Sequence, residues 1–205
     1  MIVIGLALFA FIAGDAWKVL QPHQSQDVGE VNGETISAQD FQALVEEYTE
    51  VVKFSSGLNA LSDEQTNQIK DEVWRAYVNN KLIENEAEKL GLTVSKAELQ
   101  AIIDAGVHPM LQQTPFRNPQ TGAFDKDMLK KFLVDYSKMN KAQMPAQYAE
   151  YYNSMYNFWA FVEKSLVQAR LQEKYQALIT KSLFSNPVEA EDAFNARVDQ
   201  SDLLL

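Results

Sequence analysis

The chain has 205 residues, 46% of them hydrophobic, which is enough to bury a real core and to exclude a wholly disordered protein. A formal net charge of −10 argues against nucleic acid as a partner, because affinity for a phosphate backbone rests on clustered Lys and Arg. With no Cys, disulfide frameworks, thiolate nucleophiles, Cys-ligated zinc and a lipoprotein anchor are all excluded. The count of 8 Gly and 6 Pro, set among stretches rich in Ala, Leu, Glu, Lys and Gln, predicts a mostly α protein.

Residues 1–14 form an unbroken run of apolar and small residues, closed by Asp15 and flanked by Trp17 and Lys18. Spanning a bilayer takes roughly 20 apolar residues, so the run is too short by itself. It fits a signal-peptide core, a buried helix, or the distal end of a membrane anchor. No basic residue precedes it and Gly14-Asp15-Ala16 is a poor cleavage site, so the anchor is the expectation, with Trp17 and Lys18 at its interfacial end. Residues 15–27 are polar, contain Pro22 and show no period, as a tether would.

The domain is expected over residues 28–205. Asn32-Gly33 lies between Val28–Val31 and Glu34–Ile36 and predicts a small β-hairpin, since this pair readily supplies two positive-φ residues. Ser37 then caps a helix, with Asp40 three residues on, and Phe41, Leu44, Val45, Tyr48, Val51 and Val52 follow at helical spacing until Gly57. A second helix is predicted from Ser62 to Leu90, with Ile69, Val73, Tyr77, Leu82, Ile83, Ala87 and Leu90 facing inward. Gly91 and Leu92 carry the pattern of a Schellman ending. Ser95 and Glu98 predict a capping box for a short helix through Leu99, Ile102 and Ile103.

Residues 106–124 hold Pro109, Pro115, Pro119 and Gly122 and read as a loop with room for one helical turn. Its Met110, Leu111, Phe116 and Phe124 either pin the loop to the helices or form a binding lip. A fourth helix is expected over Asp125–Met139. The longest starts near Pro145 and runs to about Ser182, more than twice the usual globular length, and is expected to serve as a spine. Asn186-Pro187 breaks the pattern, a short helix is predicted over Val188–Arg197, and Ser201–Leu205 opens a strand that suggests a further domain downstream.

Few residues suggest chemistry. His23 and His108 lie far apart with no ligand spacing around them, so no metal is expected; no Gly-rich phosphate loop or nucleophile elbow is present, and no cofactor is expected. Glu46/Glu50 and Glu84/Glu88 are one helical turn apart and read as solvated charge. The distinctive stretch is Tyr148–Phe161, with seven aromatics in 14 residues. Tyr148, Tyr152, Met155, Trp159 and Val162 make an inward stripe, whereas Tyr151, Phe158 and Phe161 fall elsewhere around the helix. Either the helix is covered on two sides, or Tyr151, Phe158 and Phe161, with Met144 nearby, form an aromatic and thioether surface for a binding partner.

Val28-Gly-Glu-Val-Asn-Gly-Glu-Thr-Ile-Ser37 with Phe41, then Leu82-Ile83, Ala87 and Leu90-Gly-Leu-Thr-Val-Ser95 with Glu98-Leu99, resembles the N-terminal region of the SurA/PpiD family of periplasmic peptidyl-prolyl isomerases and chaperones. The likeness is strongest to the membrane-anchored PpiD type. Phe116-Arg-Asn-Pro119, Thr121-Gly122, Arg170 with Lys174-Tyr175, and Glu189–Phe194 also fit. The resemblance implies a helical chaperone domain in the periplasm, held to the bacterial inner membrane by a single N-terminal span. Its partners would be unfolded or nascent envelope polypeptides, with a scaffold role in a translocon or secretion complex as the alternative. A parvulin domain for prolyl isomerisation would follow downstream, so that no residue of this chain is expected to be catalytic.

Overall fold

The structure, a computed structural model, describes residues 27–140, 143–182 and 191–192. The expected anchor, nearly all of the tether, most of the Val188–Arg197 helix and the terminal strand lie outside the described residues. Among those described, no helix is long and apolar enough to cross a membrane.

The architecture is helical with one small hairpin. β1 (Asp27–Val31) and β2 (Glu34–Ser37) pair antiparallel, followed by α1 (Ala38–Ser56), α2 (Asp63–Lys89), α3 (Lys96–Ala105), α4 (Pro109–Gln112), α5 (Lys126–Lys138) and α6 (Ala146–Ser182). Asp27, expected at the end of the tether, is the first residue of β1.

Local chemistry explains most of these boundaries. Asn32 at φ 55° and Gly33 at φ 84° close the hairpin as a two-residue turn of the kind that matches strand twist. Side-chain oxygens of Ser37, Ser62 and Ser95 accept hydrogen bonds from the third residue onward, at 3.1, 3.2 and 3.1 Å. Ser62 forms a full capping box, because the Gln65 side chain accepts from the Ser62 amide at 2.9 Å. Gly91 at φ 67° ends α2 in a Schellman motif: the Leu92 amide donates to the Ala87 carbonyl at 2.8 Å and the Gly91 amide to Glu88 at 3.0 Å.

The hairpin is held to the helices by one close approach. Val31 and Ile36 are buried, and Gly29 lies so near the indole of Trp74 that a Cβ there would sit 2.3 Å from Cη2. Trp74 is fixed in turn by the edge of Phe41 at 5.8 Å and by stacking on Tyr77 at 6.0 Å. Lys81 of α2 reaches back to Glu34 of β2 at 2.8 Å. Gly29→Ala is therefore expected to shift the hairpin off α2 and to cost about 1 to 3 kcal/mol, the range for overpacking. Urea titration with Trp fluorescence as the probe checks this, and an unchanged midpoint would refute the close approach.

Two apolar clusters form the interior. The smaller joins Val45 of α1 to Ile69 and Val73 of α2, with Phe41, Leu44, Tyr48, Val52 and Leu61 around them. The larger is built around α6, whose Phe158, Trp159, Val162 and Leu166 meet Val51, Leu99, Ile103, Leu111, Phe116 and Leu129. The long helix is thus the spine, and the others pack on it. Leu82 and Leu90, expected inward, are 43% and 51% exposed; α2 is gripped along Ile69, Val73 and Ala87 instead.

Candidate functional site

The aromatic segment of α6 is covered on two sides. On one, α1 brings Phe54 to 5.3 Å from Phe158 and 6.1 Å from Tyr151, and Tyr48 to 5.6 Å from Phe161. On the other, Phe116 meets Trp159 edge-on at 6.0 Å, and α5 stacks Phe132 on Tyr152 at 6.2 Å and Tyr136 on Tyr156 at 4.3 Å. Tyr136 also donates from its hydroxyl to Asn153 Oδ1 at 2.8 Å. Because Phe116 touches Phe132 and Tyr151 touches Tyr152, these rings, apart from the Tyr48–Phe161 pair, form one continuous chain from α1 around α6 to α5.

This arrangement sorts the residues singled out above. Phe158 is only 6% exposed and belongs to the core, so it offers no surface to a partner. Its position off the main stripe is explained by Phe54, which buries that side of the helix. Phe161 is half-buried, packed against the same core and against Tyr48. Met144 lies half-buried in the turn before α6. Tyr151 remains open at 53% exposure. Tyr148 reverses its expected role, for it is 60% exposed, in the first turn of α6, while the ring contacts with α1 and α5 begin only at Tyr151.

The open end of the ring chain is the candidate site. Tyr148 and Tyr151 are one turn apart on α6, Phe54 lies beneath Tyr151, and Leu58, 43% exposed, follows Phe54 just past the Gly57 cap. Such a platform supplies apolar contact, ring faces for Lys or Arg, and two phenolic hydroxyls, but no acid, base or nucleophile positioned for bond chemistry. Phe54 was legible only as an inward residue of α1; its proximity to Tyr151 depends on tertiary packing.

The loop of residues 106–124 is pinned rather than free. Leu111 and Phe116 are 0% and 2% exposed, Thr114 is buried with its hydroxyl donating to the Leu111 carbonyl at 2.8 Å, and Arg117 bridges Phe124. His108 caps α4 through Nδ1, accepting from the Met110 amide at 3.2 Å. An open cleft of about 470 Å³ borders this loop between Asp104 and Lys126.

Charged groups near α6 serve packing. Glu98 was expected to complete a capping box with Ser95, but its carboxylate instead takes Arg170 Nε at 2.6 Å and Lys174 Nζ at 3.1 Å, clamping α3 to α6. Hydrogen bonds from Arg170 and then Lys174 hold that carboxyl below its ordinary range, while burial raises Glu163 of α6. Tyr48 is raised by burial and by its contact with Glu72. Gln168 donates to Glu84 of α2, which together with Lys81 and Glu34 links α6 to the hairpin. Among the described residues, no group of three or more His, Cys, Asp or Glu could hold a metal ion.

In comparison with known proteins, residues 1–133 match a family described as the SurA-like N-terminal domain. No curated protein and no solved structure matches the chain.

Proposed function

The chain belongs to the SurA-like N-terminal domain family, and from that membership we propose that it is a chaperone region that holds unfolded polypeptide segments without ATP or covalent chemistry. The observation that carries this reading is the exposed Tyr148 one turn from exposed Tyr151, which lies over Phe54, an aromatic platform on a helix packed from two sides. Extended chains present apolar and aromatic side chains that such a surface takes up without sequence specificity. A pre-ordered platform also loses little conformational freedom on binding.

In the fuller form of the proposal the protein is of the membrane-anchored PpiD type. Residues 1–14 would be the outer part of a single span, and the domain would meet unfolded or newly translocated envelope polypeptides in the periplasm. Prolyl isomerisation would require a parvulin domain.

The double substitution Tyr148→Ser/Tyr151→Ser tests the platform. Thermal stability is expected to change little, since exposed substitutions usually stay within about 0.5 kcal/mol each. Suppression of aggregation of an unfolded model protein is expected to weaken clearly in a light-scattering assay. Full suppression by a stable variant would overturn the assignment and direct attention to a scaffold role, tested by binding to a purified translocon or secretion component.

A further inference from the structure

α5 divides its apolar and its charged residues between two faces. Its inner face is apolar: Leu129 is 3% exposed, and Phe132, Leu133 and Tyr136 pack toward α6 and the loop of residues 106–124. Its outer face carries Lys130, Lys131 and Lys138, all exposed, with exposed Asp127 and Asp135 among them and Met128 and Val134 exposed beside them at 46% and 42%. The cations that join other elements together are ion-paired: Lys81 with Glu34, Lys164 with Glu47, Arg170 and Lys174 with Glu98, and Lys126 of α5 itself with Asp104. Lys130, Lys131 and Lys138 have no such carboxylate among the described residues.

The sign of this face opposes that of the whole chain. With Lys126 paired to Asp104, the three remaining Lys and two Asp (Asp127 and Asp135) leave this face at +1, whereas the whole chain carries −10. An anionic sheet of charge would therefore repel the acidic molecule as a whole and be met by the unpaired lysines of this face, which makes any contact one-sided. Two apolar side chains set among the three free ammonium groups favour a boundary where charge meets hydrocarbon over a purely acidic peptide. The lysine stems are long enough to keep their ammonium groups at headgroup level while Met128 and Val134 approach the acyl region.

We infer that the outer face of α5 docks on anionic phospholipid headgroups and so orients the domain on a bilayer surface. The inference stands on the charge and exposure of α5 and does not depend on the aromatic platform or on an anchor.

Residues 1–14 are apolar and can bind lipid whatever its charge, so the test must report on α5 locally. The chain has no Cys, and Ser137→Cys on α5 and Asn67→Cys on α2 each give a single labelling position in the full-length protein. A fluorophore there is read by quenching from spin-labelled headgroups in vesicles of phosphatidylglycerol with phosphatidylcholine, or of phosphatidylcholine alone. Quenching is expected at Ser137→Cys, not at Asn67→Cys, and only with the anionic vesicles. In the background Lys130→Gln/Lys131→Gln/Lys138→Gln, the lipid concentration for half-quenching should rise about a hundredfold. Salt provides a check that needs no variant, because raising it should abolish the signal in the otherwise unaltered chain. Equal quenching with both vesicle types, equal quenching at both positions, or a signal insensitive to salt or to the lysines would overturn the inference. So would binding to polyglutamate without any response to vesicles, which would make α5 a site for acidic polypeptide.

Discussion

Replacing Phe116 with alanine is expected to cost about 3 to 5 kcal/mol of folding stability, the range for emptying a buried aromatic site. Phe116 is 2% exposed and lies 5.3 Å from Phe132 and 6.0 Å from Trp159, so its ring connects α5 to the spine. Its backbone matters as well: the Phe116 carbonyl accepts from the Asp125 amide at 2.8 Å, and Asp125 caps α5 through its carboxylate. Removing the ring would leave a void that neither Trp159 nor Phe132 can fill without leaving its own contacts. Equilibrium urea unfolding followed by circular dichroism measures the loss, and a red shift of Trp emission in the folded baseline would report hydration near Trp159. A cost below about 1 kcal/mol would mean that the loop is not pinned as described.

The second large effect separates two neighbours in the same ring chain. Phe158→Ala is expected to destabilise by about 3 to 5 kcal/mol, whereas Tyr151→Ser should stay within about 1 kcal/mol. Both side chains touch Phe54, at 5.3 and 6.1 Å, but Phe158 is 6% exposed and Tyr151 53%. What differs is water, since only Phe158 has lost its hydration shell, and the loss of that burial is what the substitution measures. Equal melting temperatures for the two variants would show that α1 does not cover α6 as the structure has it.

These contrasts mark what the sequence could and could not reveal. Wherever a boundary depends on neighbours within a few residues, it was legible: Asn32-Gly33 for the hairpin turn, Ser37 and Ser62 for helix starts, Gly91 with Leu92 for the end of α2. The length of α6 was also legible, because nothing between Pro145 and Ser182 breaks a helix. Its sidedness was not. Hydrophobic period locates a core only when one face is buried, and α6 is packed by α1 and by α5 on different sides. Hence Phe158 was open to a surface assignment and Tyr148 to a core one, although their types fit either place.

The same limit applies to polar groups. Ser95 and Glu98 carry the sequence pattern of a capping box, yet Arg170 and Lys174 lie 72 and 76 residues further on and take the carboxylate. A charge-assisted bond to a cation outcompetes a neutral backbone amide, and no local pattern announces a partner so distant. Of the platform, Tyr151 was identifiable as lying off the stripe; Phe54 beneath it became visible only once α1 was laid against α6.

The covering of α6 from both sides also governs how much this chain can vary. From Tyr152 to Gln172, only Asn157 and Ala160 are exposed, while every other side chain is at least partly shielded by a neighbour. A charge or a bulkier group could be introduced at those two places without disturbing α1, α2, α3 or α5, and at few others. By contrast, α2 presents Asp71, Glu72, Arg75, Ala76 and Asn79 to solvent within three turns. Substitutional freedom in this domain is therefore concentrated in the elements that wrap the spine, and engineering that must leave the fold alone should begin there.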